Sequence, residues 1–422
     1  MTTITGNRPA ATAQESQPDT TQLPGIVSVD DHVVEPPTLW TERMGATKGD
    51  AVPHVVRKKV SPGAARSGSD ELVWADVWVY EDVEVPLLRA FQAVGMDDTE
   101  VDLLPMTLDE VRKGGYDREA RLADMDIDGI ESAVCFPNNF VRFCGQRFLE
   151  AKDKTVALEC VRVFNDWLLE EWQGPSDERL ISSTIIPLWD VEEAVSEVHR
   201  NAARGARAVC FSEIPARLGL PSMYSGYWEP FFAACAETDT VINMHIGSSS
   251  TQHTTSQDAP PGVRIANHFS NSAFSLTDWL YCGAFIRHPN LKIAFSEAQA
   301  GWIPFLVHRL DNIWSPGRDY RNPEPPLPQP PSTYLADHVY ACVFDDVDCL
   351  RHLDLLGEDN LCFEADYPHP DGTWPHTRQQ AVAFTEGLDT TVRDKILRYN
   401  AAKLYRIERV LADAAAPVGV KS

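Results

Sequence analysis

The sequence predicts an α/β protein built as a (β/α)8 TIM barrel with an insertion after the first strand. Three observations predict it. Eight short apolar segments recur along the chain, and most are followed by a stretch whose apolar residues have helical spacing. Strands that alternate with helices imply a parallel sheet with the helices outside. Acids and imidazoles gather at the carboxyl ends of four of these strands, the end at which a parallel barrel opens its working face. A doubly wound open sheet is the competing architecture. No Gly-x-Gly-x-x-Gly follows the first strand, which weakens the dinucleotide-binding form of that fold.

The first strand runs through Ile26, Val27, Ser28 and Val29 into Asp30, Asp31, His32 and Glu35, and Pro36 and Pro37 stop it. Residues 38–44 read as a short helix. Residues 45–115 are irregular, with Pro-Gly at 62–63 and a Ser-rich turn at 67–70. Within them a Trp/Val/Tyr alternation from Val73 to Tyr80 reads as a hairpin strand outside the main sheet. This insertion is expected to form a lid or a substrate wall, and equally fits an excursion that never meets substrate. From Asp117 the rhythm is regular. Strands are expected at 131–137, 180–187, 206–211, 241–245, 291–297, 339–344 and 360–366. Helices are expected at 118–128, 148–173, 191–203, 228–238, 265–287, 302–314, 347–356, 377–388 and 391–411. The loop 316–331 is too rich in proline for either.

These elements make one domain over 25–412, with a tail at 413–422. The first 24 residues are polar and lack the basic start and apolar centre of a signal peptide, so they read as a disordered lead-in to a cytoplasmic protein. The longest apolar runs are strand-sized, and no membrane span is expected. A formal charge of −25 disfavours nucleic acid and anionic membranes, whose phosphates would be repelled. The nine cysteines are odd in number, form no Cys-x-x-Cys and sit mostly in apolar stretches, as buried reduced thiols do. The expected partners are therefore a small-molecule substrate and a second copy of the chain, with residues 302–314 and 316–331 as dimer surfaces.

The strand ends carry the chemistry. Strand one ends in Asp30, Asp31, His32 and Glu35, strand five in His245, strand six in Glu297, and strand eight in Asp366, His369 and Asp371. One histidine at a strand end is more often structural than a ligand, but four such ends facing one mouth reverse that balance. Carboxylates so close repel, and a divalent metal supplies the counter-charge. Alternation along a strand puts Asp30 and His32 on one face, which favours Asp30 over Asp31 as the ligand. No Gly-x-Ser-x-Gly elbow, Walker loop or His-Glu-x-x-His occurs. The run Gly247 to Thr251 could cradle an anion, although such a run is more often a flexible loop.

Four motifs, in order, are Val29 to Pro37; Met244 to Ser248; Leu291 to Glu297 with Gly301 to Pro304; and Glu364 to His369 followed by Thr373 to Pro375. Together they resemble the amidohydrolase-related family, the branch of the amidohydrolase superfamily that includes aminocarboxymuconate-semialdehyde decarboxylase-like enzymes. The resemblance spans roughly residues 25–410 and implies a metal-dependent barrel with hydrolytic or non-oxidative decarboxylation chemistry. It places Asp30 where the first histidine of the family's His-x-His stands, and His32 where the second stands. It assigns His245 as the strand-five ligand and Asp366 as the last-strand aspartate, and it shows Glu297 in place of the strand-six histidine. Where dinuclear members carry a bridging carboxylated lysine, this chain has Phe211-Ser-Glu213, and Glu213 is a weak substitute.

The metal-ligand set is thus Asp30, His32, Glu35, His245, Glu297 and Asp366, with His268 and His369 as possible additions. Six ligands, mostly oxygen, are too many for one zinc and suit two ions, with iron or manganese favoured over zinc. Two enzyme readings follow. In the first, the metal site hydrolyses or decarboxylates a small organic acid, ester or amide, with Asp366, Glu297 and His245 as the catalytic residues. In the second, the acid-rich site resembles the superfamily's non-heme di-iron monooxygenase type from platensimycin/platencin-type diterpenoid biosynthesis. That reading implies hydroxylation of an apolar, terpenoid-like substrate with O2. A barrel that binds without turnover is the third class, which loss of ligands would have favoured. Trp74, Trp78, Phe140, Phe143, Trp302 and Trp374 are candidates to line an apolar pocket, and Arg142 and Arg264 to hold a substrate anion. For each of these, ordinary packing or a surface ion pair is the commoner outcome.

Overall fold

The computed structural model describes residues 20–415 except 22, 46–47, 64–70, 98–100 and 315–326. Most of the lead-in, most of the Pro-rich loop and most of the tail therefore lie outside the described residues.

Eight parallel strands form the barrel, in the order β1 (Ile26–Val33), β5 (Ile130–Pro137), β6 (Leu180–Thr184), β7 (Ala208–Phe211), β8 (Val241–His245), β9 (Ile293–Ser296), β10 (Val339–Val343) and β11 (Leu361–Phe363). Every residue of β1 is buried, as a strand with helices outside and a filled interior requires. Closure is made just past β11. Ala365 N donates to Ser28 Oγ at 2.9 Å, Asp366 N to Asp30 O at 2.7 Å, and His32 N to Tyr367 O at 2.6 Å. The segment that carries Asp366 is thereby tied directly to the segment that carries Asp30 and His32. The β1–β5 ladder also slips between Ser28 and Asp31, the kind of irregularity that re-aims a side chain beside an active site.

The barrel is plugged at the amino ends of its strands by the C-terminal segment. Ala401, Leu404, Tyr405, Ile407 and Val410 pack against Val27, Val29, Val134, Ile181 and Val241, and Tyr405 Oη donates to Asn243 Oδ1 at 2.9 Å. The opposite end stays open for chemistry. The insertion supplies a three-stranded antiparallel sheet, β2 (His54–Val60), β3 (Val73–Tyr80) and β4 (Val83–Pro86), so the alternation from Val73 does mark a strand outside the barrel. Trp78 fixes it, stacking on Phe140 at 4.6 Å and meeting Trp40 edge-on at 5.4 Å, all three buried. Burying one such ring contributes about 1.5–3 kcal/mol.

Several helices are shorter than their periodicity predicts. The stretch expected as one helix over 265–287 is three: Pro261–Ile265, Phe269–Tyr281 and Ala284–Arg287, the last break falling at Gly283 with φ 77°. The stretch at 148–173 breaks after a short helix at Gln146–Leu149 and restarts at Lys154, where Asp153 accepts from Thr155 N and Val156 N, and it widens into a π-helical turn at Leu168–Gln173. No helix among the described residues is long and apolar enough to cross a membrane.

Candidate metal centre

His32 and His245 are aimed by their own backbone surroundings. His32 Nδ1 lies 3.2 Å from Pro137 O, and His245 Nδ1 lies 2.7 Å from Ile246 O. A carbonyl only accepts, so each Nδ1 carries the proton and each Nε2 presents a lone pair. The two Nε2 atoms stand 3.2 Å apart. Asp30 spans them, with Oδ1 3.4 Å from His32 Nε2 and Oδ2 3.3 Å from His245 Nε2. Asp366 Oδ1 is 3.3 Å from His32 Nε2, and Glu297 Oε2 is 3.5 Å from His245 Nε2. Two atoms each about 2.1 Å from a shared ion stand about 3.0–3.4 Å apart, so these spacings are those of ligand edges.

Both oxygens of Asp30 and both of Asp366 are buried without a hydrogen-bond partner. Lone pairs facing carboxylates at these distances repel unless a cation lies between them. Burial, then the charges of Asp366 and Asp31, pushes the Asp30 carboxyl well above its usual range. Burial and Asp366 do the same to Glu297. Burial, then His369, drives His32 down to about 3, so the ring is neutral as a ligand must be. Burial works against the Asp366 anion, but His369 and His32 beside it outweigh that and hold it below the ordinary carboxylate range. The donors form two overlapping groups able to hold a hard or borderline divalent ion, Asp30 with His32 and His245, and His32 with Asp366 and His369, and Glu297 stands at their edge.

The structure does not bring together every residue expected there. Glu35 is buried, but its Oε1 accepts from Val141 N at 3.0 Å, and backbone groups of residues 138–141 surround its carboxyl. It ties down the loop after β5 rather than joining the cluster. Asp31 faces away from it, pairing with the buried Arg121 at 3.2 Å and accepting from Ser28 Oγ at 2.8 Å. Glu213 accepts from Ser272 Oγ at 2.6 Å and Ser249 Oγ at 3.4 Å. His369 does join: its Nδ1 is 3.0 Å from Asp366 Oδ1, and its ring lies over His32 at 3.9 Å. His268 lines the cavity but stands outside the ligand groups. A further residue is Glu364, buried two positions before Asp366, whose Oε2 accepts from Glu297 N at 3.0 Å. The period of two along a strand was the signal that could have found it.

A cavity of about 190 Å³ opens above the cluster, with Glu297, Asp366 and His369 in its wall. Phe91 from the insertion, Phe143 and Ile246 give it flat apolar sides. The insertion thus contributes part of this cavity's wall. Phe143 also stacks on the His245 ring at 4.0 Å and 9°. Of the six aromatics expected to line the mouth, Phe143 alone lines this cavity. Trp78 and Phe140 are core, Trp74 is exposed beside Lys59, Trp302 donates to Ala298 O and Gln299 O, and Trp374 stacks on Arg112. Arg142 is engaged by Glu150 and Ser250.

The family model described as Amidohydrolase matches residues 70–407. The chain belongs to the amidohydrolase family. No curated protein matches it in sequence. Among solved structures, it is similar to an amidohydrolase from Mycobacterium avium subsp. paratuberculosis K-10, at 22% identity and TM-score 0.66, covering 94% of this chain and 99% of that one. It is similar to 2,6-dihydroxybenzoate decarboxylase from Rhizobium, at 18% identity and TM-score 0.59, covering 91% and 99%. It is also similar to 5-carboxyvanillate decarboxylase from Novosphingobium aromaticivorans DSM 12444, solved with bound manganese, at 17% identity and TM-score 0.62, covering 92% and 98%. At these identities the likeness is one of fold.

Proposed function

We propose that this amidohydrolase-family chain is a metal-dependent enzyme that decarboxylates or hydrolyses a small organic acid, ester or amide, with decarboxylation of a ring-bearing acid the favoured reaction. The observation that carries the reading is the pair of overlapping buried groups, Asp30 with His32 and His245 and His32 with Asp366 and His369, with their unpartnered carboxylate oxygens, at the wall of a cavity with apolar sides. The decarboxylases similar in fold act, by their descriptions, on aryl acids, and one holds manganese. These groups would hold a divalent ion, manganese or iron before zinc on their carboxylate content. Of the six ligands behind the expectation of two ions, Glu35 is occupied by backbone, while His369 joins beside Asp366. When bound, the ion would act as a Lewis acid and lower the pKa of a water.

The chain's own residues do the rest. Phe91 and Phe143 offer an apolar ring aromatic surface to pack against. Phe143 also fixes the plane of His245. Glu297 lines the cavity and its side chain is 20% exposed, so it can reach a substrate. When protonated, its carboxyl can supply the proton that replaces CO2 on the substrate carbon; when ionised, it can take one from water in hydrolysis. A second reading, O2-dependent hydroxylation at two irons, is favoured by one observation. Asp30, His32 and His245 form one ligand group, and His32, Asp366 and His369 form an overlapping one.

The test is metal content per chain on protein purified without added metal, with CO2 release from hydroxylated benzoic acids, hydrolysis of esters and amides, and O2 uptake followed in parallel. About one manganese or iron with CO2 release or hydrolysis supports the first reading. Two irons with substrate-dependent O2 uptake replaces it with the second. Protein that neither holds nor responds to any divalent metal overturns both.

A further inference from the structure

The loop that carries Asp366 and His369 is gripped from one short segment, residues 112–124. Tyr367 follows Asp366, and Trp374 stands five positions after His369. Each ring lies against a guanidinium, with Arg121 3.9 Å from the Tyr367 ring and Arg112 4.1 Å from the Trp374 ring. Asp124 joins the two halves. It takes Arg112 as a fork, Nε to Oδ2 at 2.7 Å and Nη2 to Oδ1 at 2.6 Å. Its Oδ2 also accepts from Tyr367 Oη at 2.7 Å, and its backbone oxygen accepts from Trp374 Nε1 at 3.1 Å. Both rings are thus held twice, by a face and by a polar edge. Gly114 permits the approach, because a Cβ there would collide with Tyr367 Oη and Asp124 Oδ2.

Arg121 extends the grip to β1. It is fully buried, and its Nε donates to Gly114 O at 2.7 Å, its Nη1 to Asp31 Oδ2 at 3.2 Å and its Nη2 to His32 O. His32 N donates in turn to Tyr367 O at 2.6 Å, so both backbone polar groups of this candidate ligand are fixed. Arg112, Arg121 and Asp124 belong to neither ligand group and do not line the cavity above the cluster. Packing alone would be served by apolar side chains, without the cost of burying a guanidinium. What a guanidinium adds is direction, because its planar fork fixes several oxygens and a ring face at once.

We infer that Arg112 and Arg121 are positioning residues for the metal centre. With Asp124 they clamp Tyr367 and Trp374, and through these two rings and the His32 backbone they set the aim of Asp366, His369 and His32. The assignment rests on the metal centre of the proposed function. It adds that metal affinity is governed in part from residues 112–124, where the insertion ends and the helix Arg118–Asp128 begins.

The test measures manganese affinity of the folded full chain by competition with a chelator, and amide hydrogen exchange of residues 366–374 in metal-stripped protein. The Arg112 side chain is 37% exposed, so Arg112→Met is expected to fold. It should speed exchange in 366–374 and weaken metal binding about ten-fold or more, the scale on which loss of a ligand's support acts. Arg112→Lys keeps the charge but neither the fork nor the plane, and should recover little of the loss. Arg121→Lys should lose at least as much as Arg112→Met; should it not fold, Tyr367→Leu, which removes the ring beneath Arg121, takes its place. Arg57→Met is the control. Arg57 forks onto Asp76 within the insertion, Nε at 2.8 Å and Nη2 at 2.7 Å, and its loss should leave metal affinity at the wild-type value. Wild-type affinity in either arm, an equal loss in Arg57→Met, or full recovery in Arg112→Lys overturns the clamp. Faster exchange with unchanged affinity overturns it too, since the loop would then be held without setting the site. A wild-type chain that holds no divalent ion sinks the metal-centred reading itself, and the clamp with it.

Discussion

Glu213 stands at the end of β7, where a dinuclear barrel would place a bridging group, so the reaction class turns partly on what its carboxyl does. Both its oxygens accept from serines, Ser272 at 2.6 Å and Ser249 at 3.4 Å, and the residue is buried. Burial raises its pKa from 4.5 to about 7, with Ser272 and His245 opposing. Between those two values the folded chain keeps a proton that the unfolded chain releases. The stabilising contribution is full below pH 4.5 and is lost as pH rises through about 7. At 1.36 kcal/mol per pH unit, the ionised carboxylate at pH 8 costs about 3 kcal/mol. Glu213→Gln removes the charge and keeps the shape and an acceptor oxygen. It should therefore stabilise metal-stripped protein by up to about 3 kcal/mol at pH 8 and by close to nothing at pH 5. Urea unfolding at the two pH values reads the difference, and metal content on unstripped protein should be unchanged. An equal effect at both pH values, or a less stable variant at pH 8, would refute the burial argument. Loss of an ion would make Glu213 a ligand and revive the dinuclear reading.

Asp30→Ala should abolish tight metal binding, whereas Asp31→Ala should keep the ion and lose about 3 kcal/mol of stability, because the Arg121 charge is left buried; elemental analysis and urea unfolding of the pair check this, and reversed roles would refute it. His245→Ala and Asp366→Ala should lose metal and turnover together, and full activity in either would end the metal-site reading. Phe143→Ala should raise KM about ten-fold with metal retained, since it removes one face of the substrate slot and the ring stacked on His245; an unchanged KM would place the substrate elsewhere.

The barrel and the clustering of Asp30, His32, His245 and Asp366 at one end were legible because both follow from period. Apolar strands that alternate with helices announce the layers, and a period of two put Asp30 and His32 on one face and Asp31 on the other, as the structure has them. Glu35 lay past that rule. It lies two positions past the end of β1, where Pro36 and Pro37 end the alternation, and the backbone groups that take its carboxyl come from residues 138–141, about a hundred positions away. The cavity walls were hidden for the same reason. Phe91 sits in the insertion and His253 in a loop, and neither belongs to a periodic segment. The six aromatics chosen from the sequence were mostly wrong for the opposite cause: large rings near strand ends are usually structural, as Trp78 and Phe140 are.

Two residues of the candidate metal cluster hold a backbone conformation that side chains resist: φ is 59° at Glu297 and 50° at Asp366. Such positions cost about 1–3 kcal/mol each, so their surroundings must hold them. For Glu297 the holder is Glu364, through its bond to Glu297 N. For Asp366 it is the tight loop to Thr373, closed by Thr373 N donating to Ala365 O at 2.9 Å, together with the tie to β1 through Asp30 O. That loop leaves no room at Gly372, where a Cβ would stand 2.7 Å from Asp366 O, 2.8 Å from His369 O and 3.2 Å from Ala365 O. All three are backbone atoms and cannot swing aside. Gly372→Ala should therefore shift Asp366 and His369 without touching a ligand, and weaken metal binding by about 10–100-fold, the scale seen when the support of a ligand is lost. Competition with a chelator measures it on the folded variant. Wild-type metal affinity in Gly372→Ala would show that the loop yields freely, and that the geometry of Asp366 is set from β1 alone.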